Sequence, residues 1–256
     1  MNDATAEFDP RDVVPRADEL VGRVIAITGA SDGIGRALAL ACAQHGAEVV
    51  LIGRSAQKLQ TVHAELGKSA APEASIGLLD LENSLAPAYD ALADAIRERY
   101  GRLDGLVHNA GILGRLAPIE QYDVPTWCRV LQVNLTAAFA LTQVLLPLLK
   151  VSADASVLFT SSGVGRRGRA YWGAYAVSKA GVEALTQILA GELENLSKVR
   201  VNAIDPGRTR TQMRRQAYPA EALESLPLPA SLMGPYIALL GPASRGVTGQ
   251  RFECQR

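Results

Sequence analysis

The stretch GAYAVSKAG, residues 173–181, sets Tyr175 four residues ahead of Lys179. On a helix that spacing puts both side chains on one face. A phenol ordinarily loses its proton near pH 10 and is a poor base at neutrality. An ammonium one turn away favours the phenolate. Bringing the pKa down to about 7 takes roughly 4 kcal/mol of preferential anion stabilisation. A pair tuned in this way removes a proton from an alcohol or returns one to a carbonyl. Helix packing alone also produces such pairs, so the spacing acquires meaning only beside other motifs.

A second motif supplies a partner chemistry. ITGASDGIGRALA follows an apolar run and opens a helical pattern, with glycines at Gly29, Gly33 and Gly35. No Gly-Lys-Ser/Thr follows, so this is not the phosphate loop of nucleotide hydrolases. Missing side chains let the backbone bend and approach a pyrophosphate, and the new helix offers its N–H groups to that anion. Ser31, Asp32 and Ile34 join the glycines as candidate cofactor contacts. About 20 residues on, at the end of the second apolar run, LIGRS places Arg54 and Ser55 where dinucleotide folds read the adenosine ribose. Gly53 is neutral and Arg54 cationic, which favours NADP over NAD. Asp32 opposes that preference if it faces a 2′-phosphate. Ser55 also reads as a helix cap.

These residues need a frame. RVIAIT (23–28), EVVLIG (48–53), LDGLVH (103–108), SVLFTS (156–161) and VRVNAI (199–204) read as buried strands, with SIGLLD (75–80) a weaker sixth. Helical patterns fall between them at about 34–45, 55–66, 84–99, 126–149 and 175–196. The alternation predicts a single-domain α/β fold: a doubly wound parallel sheet of Rossmann type with helices on both faces. Residues 1–20 read as a polar arm and 21–256 as the domain. The segment 206–235 carries five prolines and reads as an irregular lid over a site.

Composition narrows the function classes. Lys+Arg and Asp+Glu both number 26, so there is no basic excess for nucleic acid. The three cysteines are widely spaced, and the three histidines lack partners at ligand spacing, so neither a disulfide framework nor a metal site is predicted. The most apolar run, 135–149, is shorter than the roughly 20 residues that span a bilayer. No signal peptide is read at the N-terminus. A cytoplasmic protein without a membrane partner is the expectation.

TGASDGIG, HNAG (108–111), VNL (133–135), TSS (160–162), YAVSK (175–179) and DPG (205–207) occur in one order. Together they resemble the short-chain dehydrogenase/reductase family over roughly 21–250, and SSGVGRRGRAYWGAYAVSK with PGRTRT is most similar to its bacterial YciK-type subgroup. The resemblance implies Tyr175 as acid/base. Lys179 lowers the phenol's pKa and holds the nicotinamide ribose. Ser162, rather than Ser161, orients the substrate oxygen, and Asn134 supports a water-linked relay. It further implies cofactor contacts at Asn109, Ala110 and Gly111, at Asp80 and Leu81 around the adenine, and at Pro206, Gly207, Thr209 and Thr211 near the carboxamide. His108 stands where the family often has asparagine and reads as structural. The chain ends TGQRFECQR rather than in an apolar tail.

The implied activity is hydride transfer between NADP(H) and a small carbonyl or secondary-alcohol substrate. The implied assembly is a homodimer or homotetramer through the helices at 126–149 and 174–196. A non-catalytic NADP-binding sensor or scaffold and a nucleotide-retaining epimerase or dehydratase are the competing readings. Arg166, Arg167, Arg169, Arg208, Arg210, Arg214 and Arg215 favour an anionic substrate if they face the pocket; a solvated rim, or pairing with glutamates such as Glu221, is the alternative.

Overall fold

A computed structural model describes residues 8–68 and 73–256; residues 1–7 of the expected arm lie outside them. Strands β1 (Val24–Thr28), β2 (Glu48–Gly53), β3 (Ser75–Leu78), β4 (Gly105–His108), β5 (Ala155–Thr160), β6 (Val199–Asp205) and β7 (Arg251–Glu253) form one sheet. Its order is 3-2-1-4-5-6-7, with every neighbouring pair parallel. The helices are α1 (Gly33–Gln44), α2 (Ala56–Leu66), α3 (Ala86–Tyr100), α4 (Val124–Leu131), α5 (Ala137–Val151), α6 (Gly163–Arg166), α7 (Gly173–Leu193), α8 (Gln212–Ala217) and α9 (Met233–Leu240).

Strand residues alternate between two cores, which is why the sequence runs are apolar throughout. Ile25, Ile27, Val49 and Leu51 pack with Leu38 of α1, Leu59 of α2 and Tyr236 of α9. Val24, Ala26, Val50 and Ile52 pack on the other face with Leu92 of α3, Leu141 of α5 and Leu189 of α7. Each such Val, Leu or Ile side chain contributes about 1.5–3 kcal/mol by leaving water. Strand order reverses direction between β1 and β4, and a doubly wound sheet opens its ligand crevice at the carboxyl ends of such a pair.

Several elements differ from the sequence reading. The helix expected at 126–149 is a continuous run from Val124 to Val151, broken only by a π-turn at Gln132–Thr136. By length and composition it is long and apolar enough to cross a membrane, unlike the shorter stretch singled out above. Leu141, Leu145 and Leu149 from it are fully buried against the sheet. The segment 206–235 is not irregular throughout: it holds α8, and its last three residues begin α9, which is buried at seven of its eight positions. β7 and α9 have no counterpart in the sequence reading. The described part of the N-terminal arm packs on the domain. Phe8 meets Phe252 edge-on at 5.9 Å, the Arg11 guanidinium donates to the Gln255 carbonyl at 3.1 Å, and Leu20 is fully buried.

Candidate active site

The turn after β1 is built for close approach. Gly29 and Gly33 have φ of +67° and +53°, a region that L side chains rarely adopt. A Cβ at Gly35 would lie 2.2 Å from the Gly29 carbonyl oxygen, so Gly35 seats α1 against β1 rather than facing a ligand. Asn109 braces the turn from β4: its Nδ2 donates to the Thr28 carbonyl at 3.2 Å, while the Asn109 and Ala110 amides donate to Thr28 Oγ1 at 3.0 and 3.1 Å. Asp32 caps α1, its carboxylate accepting from the Gly33 amide at 2.7 Å. The N-terminus of α1 thus opens into a cavity of about 330 Å³ lined by Gly29, Asp32, Gly33, Ile34, Asn109, Ala110 and Gly111 on this side.

Across that cavity stand Ser162, Tyr175 and Lys179. Tyr175 and Lys179 lie one turn apart near the start of α7, and Ser162 precedes α6 at the end of β5. α6 lies directly on α7: a Cβ at Gly165 would be 2.8 Å from the Lys179 backbone carbon. Both Ser161 and Ser162 border the cavity, but the Ser161 hydroxyl donates to Glu183 Oε1 at 2.5 Å, whereas Ser162 hydrogen-bonds with Tyr175. The Ser162 side chain makes no cap bond to α6.

In the chain alone the electrostatics raise the phenol's pKa rather than lower it. Burial pushes Tyr175 up to about 12; a hydrogen bond with Ser162 pulls it partway back, and the Asp205 carboxylate pushes it up again. Burial also pushes Lys179 down to about 8, with Asp205 opposing. Lys179 Nζ sits 5.6 Å from the Tyr175 ring centroid and donates to the Thr160 carbonyl at 2.7 Å. Desolvation therefore governs both groups within the chain itself. At neutral pH the phenol is protonated.

Asn134 occupies the π-turn and does not line the cavity. Its Oδ1 accepts from the Ile112 amide at 2.8 Å, and its Nδ2 donates to the Ile112 carbonyl and Ser178 Oγ, both at 3.0 Å. Ser178 Oγ in turn donates to the Tyr175 carbonyl at 2.8 Å. The amide is thus a clasp between the 110–113 loop and α7.

A second cavity, of about 900 Å³, shares Asp32, Gly111 and Met213 with the first, so the two form one trough. Ser31, Arg54 and Ser55 line it. Ser55 caps α2 through the Lys58 amide at 3.4 Å. Arg54 is largely exposed and only 3.6 Å from Glu82, a weak screened pair that leaves it available. Asp80 and Leu81 line neither cavity. The Asp80 carboxylate accepts from the Glu82 amide and from Asn83 within its own turn, and the Leu81 carbonyl accepts from Gln132. Pro206, Gly207, Thr209 and Thr211 all line the first cavity, and Thr211 Cγ2 lies 3.6 Å from where a Gly33 Cβ would stand.

Sequence reasoning missed Lys58, Arg115 and Arg129 in the second cavity and Met213 in both. Lys58 had a signal, four residues after Arg54 in RSAQK; the others had none in their local pattern. Trp172 also lines the first cavity, its ring 5.7 Å from that of Tyr175. It follows Tyr171, whose φ of +74° is a strained left-handed conformation costing about 1–2 kcal/mol.

A Rossmann-type parallel sheet with a serine, tyrosine and lysine facing a glycine turn defines a class of nicotinamide-dependent oxidoreductases. The family described as short chain dehydrogenase matches residues 23–222, and the chain belongs to the short-chain dehydrogenase/reductase family as an oxidoreductase of that class. It is 45% identical over 241 residues to the uncharacterized oxidoreductase YciK of Escherichia coli K12, covering 94% of this chain and 95% of that one. A short chain dehydrogenase structure from Salmonella enterica serovar Typhi superposes with a TM-score of 0.92 at 46% identity, covering 95% of this chain and all of that one. A Shigella flexneri structure complexed with NADP has a TM-score of 0.92 and 44% identity, covering 94% of this chain and all of its own.

Proposed function

We propose that the protein reduces a small carbonyl compound with NADPH, and runs the reverse oxidation more slowly at neutral pH. The observation that carries this is the convergence of Ser162, Tyr175 and Lys179 on one cavity opposite the glycine turn. The trough fits a dinucleotide: bare glycine backbone and the N-terminus of α1 suit a pyrophosphate, and Arg54 with Lys58 suits a 2′-phosphate. The NADP-complexed Shigella relative supports the same preference. Bound there, the cofactor supplies the hydride.

The remaining work falls to the chain. Ser162 donates a hydrogen bond to the substrate oxygen and orients it toward Tyr175. Tyr175, protonated at neutral pH, delivers its proton to that oxygen as negative charge develops. Lys179 holds a positive charge near the resulting phenolate and, in this reading, contacts the nicotinamide ribose. Asn134 keeps the Ile112 loop and α7 in register, and a water relay through that bulge restores the proton. The segment from Pro206 to Ala217 covers the cleft. Exposed Phe139 on α5 with Val177 and Ile188 on α7 supports a homo-oligomer through those helices.

The test is NADPH consumption over a panel of carbonyl compounds. Turnover is expected, with a kcat loss of at least 100-fold in Tyr175→Phe. NADPH binding with no turnover of any compound would favour the sensor reading and reject this one.

A further inference from the structure

The outer wall of the first cavity, beyond Ser162 and Tyr175, is formed by Leu113, Trp172, Met213, Arg214 and Ala217. Arg214 is the one cation on that wall among the described residues, and the arginine-rich segments around it favour an anionic substrate only where such side chains stay free to meet one. The geometry removes that freedom. Arg214 Nε and one terminal nitrogen donate to the two Glu221 carboxylate oxygens at 2.5 and 2.6 Å. Its guanidinium carbon lies 3.8 Å from the centroid of the Tyr218 ring. Tyr218 faces Trp172 at 5.9 Å, and Trp172 faces Tyr175. A planar guanidinium with its edge taken by a carboxylate and its face by an aromatic ring has little left for a ligand carboxylate.

The other arginines do not compensate. Arg169 donates to the Tyr218 hydroxyl at 2.6 Å, and Arg210 to the Glu224 carbonyl at 2.5 Å. Arg166 and Arg208 are more than 70% exposed, each 4.0 Å from a glutamate. None of these four lines the cavity. What the substrate meets is therefore an aromatic and aliphatic wall with its charge already matched. The cavity is at the small end for a ligand pocket and must also take the reacting end of the cofactor, so the substrate body is small.

We propose that the site takes an uncharged ketone or aldehyde with a small, flat apolar body, and that Glu221 sets this choice by occupying Arg214. The inference rests on the carbonyl-reductase reading above. Arg214 holds the Glu221 carboxyl below its ordinary range, so the mask persists through neutral pH.

The experiment compares matched pairs, acetophenone against 4-acetylbenzoate and 4-methylcyclohexanone against 4-oxocyclohexanecarboxylate, by kcat/KM with NADPH. In the native protein each neutral ketone is expected to exceed its carboxylate partner at least tenfold. Glu221→Gln, checked for folding by circular dichroism, should raise the carboxylate-to-neutral ratio at least fivefold by exposing Arg214. Adding Arg214→Met to that variant should return the ratio to its native value. A native preference for the carboxylates, or an unchanged ratio in folded Glu221→Gln, overturns the proposal. Should Glu221→Gln not fold, the native ratio alone decides. If no carbonyl compound of either charge consumes NADPH although NADPH binds, it is the underlying reductase reading that fails, and the substrate class falls with it.

Discussion

Lys179 carries an ammonium into a nearly sealed place, and the consequence is measurable. Its unfolded-state pKa near 10.5 falls to about 8 in the fold, chiefly through burial. Between those values the unfolded chain binds the proton that the folded chain has released. Stability therefore rises with pH across that window, and the full cost, about 3 kcal/mol, is present below it. Lys179→Met removes that cost but orphans the Thr160 carbonyl, which forfeits about 1–2 kcal/mol. The ammonium's cost is the larger of the two. The variant should gain roughly 1–2 kcal/mol at pH 7, a Tm rise of about 2–6 °C, while losing at least 100-fold in NADPH turnover. Thermal unfolding of the cofactor-free protein checks the first and a spectrophotometric assay the second. A variant less stable than the native chain would show that the hydrogen bond outweighs the buried charge. The same residue-level balance explains why Tyr175 and Lys179 were legible as a pair while their electrostatics were not. Spacing fixes the face they share; only packing reveals how completely water is removed from them.

The elements around the site are tied together by their ends. Gln255, beyond β7, donates to the Pro206 carbonyl at 2.7 Å and to the Arg208 carbonyl at 3.0 Å. It holds the turn in which Gly207 has φ of +71° and the Asp205 carboxylate accepts from the Gly207 amide at 2.8 Å. Arg11, locked on Asp9, holds Gln255 from the other side. Gln255→Ala releases the Pro206 and Arg208 carbonyls and loosens a turn whose Pro206, Gly207 and Thr209 line the first cavity. The expected outcome is a KM for NADPH raised about 5- to 10-fold, equivalent to about 1–1.4 kcal/mol, with kcat within twofold of native. Steady-state kinetics at varied NADPH checks it, and a fall in kcat with unchanged KM would refute it. No local pattern announces this tie. β7 is a short polar edge strand whose Arg251 is held by Glu183 and Asp205, so it shows no apolar run. α9 is hidden by Pro229, Gly234 and Pro235, which read as loop although the helix is core. The five strong strands and the glycine turn were legible because full burial and bare backbone leave direct marks on composition. Asp80 and Leu81 came from the family resemblance, and their side chains turn elsewhere, to Asn83 and to the core.

At the scale of the whole molecule, two cores flank one sheet, and His108 shows how that burial governs the response to acid. It stacks on Phe159 at 4.7 Å, and its Nε2 lies 2.8 Å from Thr142 Oγ1, which itself donates to the Ala138 carbonyl. With that hydroxyl's proton committed, Nε2 is the donor and the ring is neutral. Burial, aided by the charge of Lys179, lowers its pKa from 6.5 to about 3. As pH falls through that interval the unfolded chain takes up a proton that the folded chain refuses, so stability declines by about 1.4 kcal/mol per pH unit. Asp154 does not contribute there. Burial pushes it up, but Arg200, Arg23 and Arg245 bring it below its ordinary value, so its share is lost only under about pH 4. Asp205, raised by burial, works in the opposite sense and is common to any comparison made at position 108. His108→Asn forfeits the stacked ring and part of its volume, a cost of about 1–3 kcal/mol at pH 7. It also removes the titration. The variant should therefore be the less stable chain at pH 7, hold nearly level stability relative to the native protein's decline, and match or exceed it by about pH 4.5, where the native chain has lost roughly 2–3 kcal/mol. Urea midpoints at half-unit steps from pH 7 to 4.5 test this crossing. Parallel curves for the two chains would mean that His108 is protonated in the fold and that the core on that side admits water.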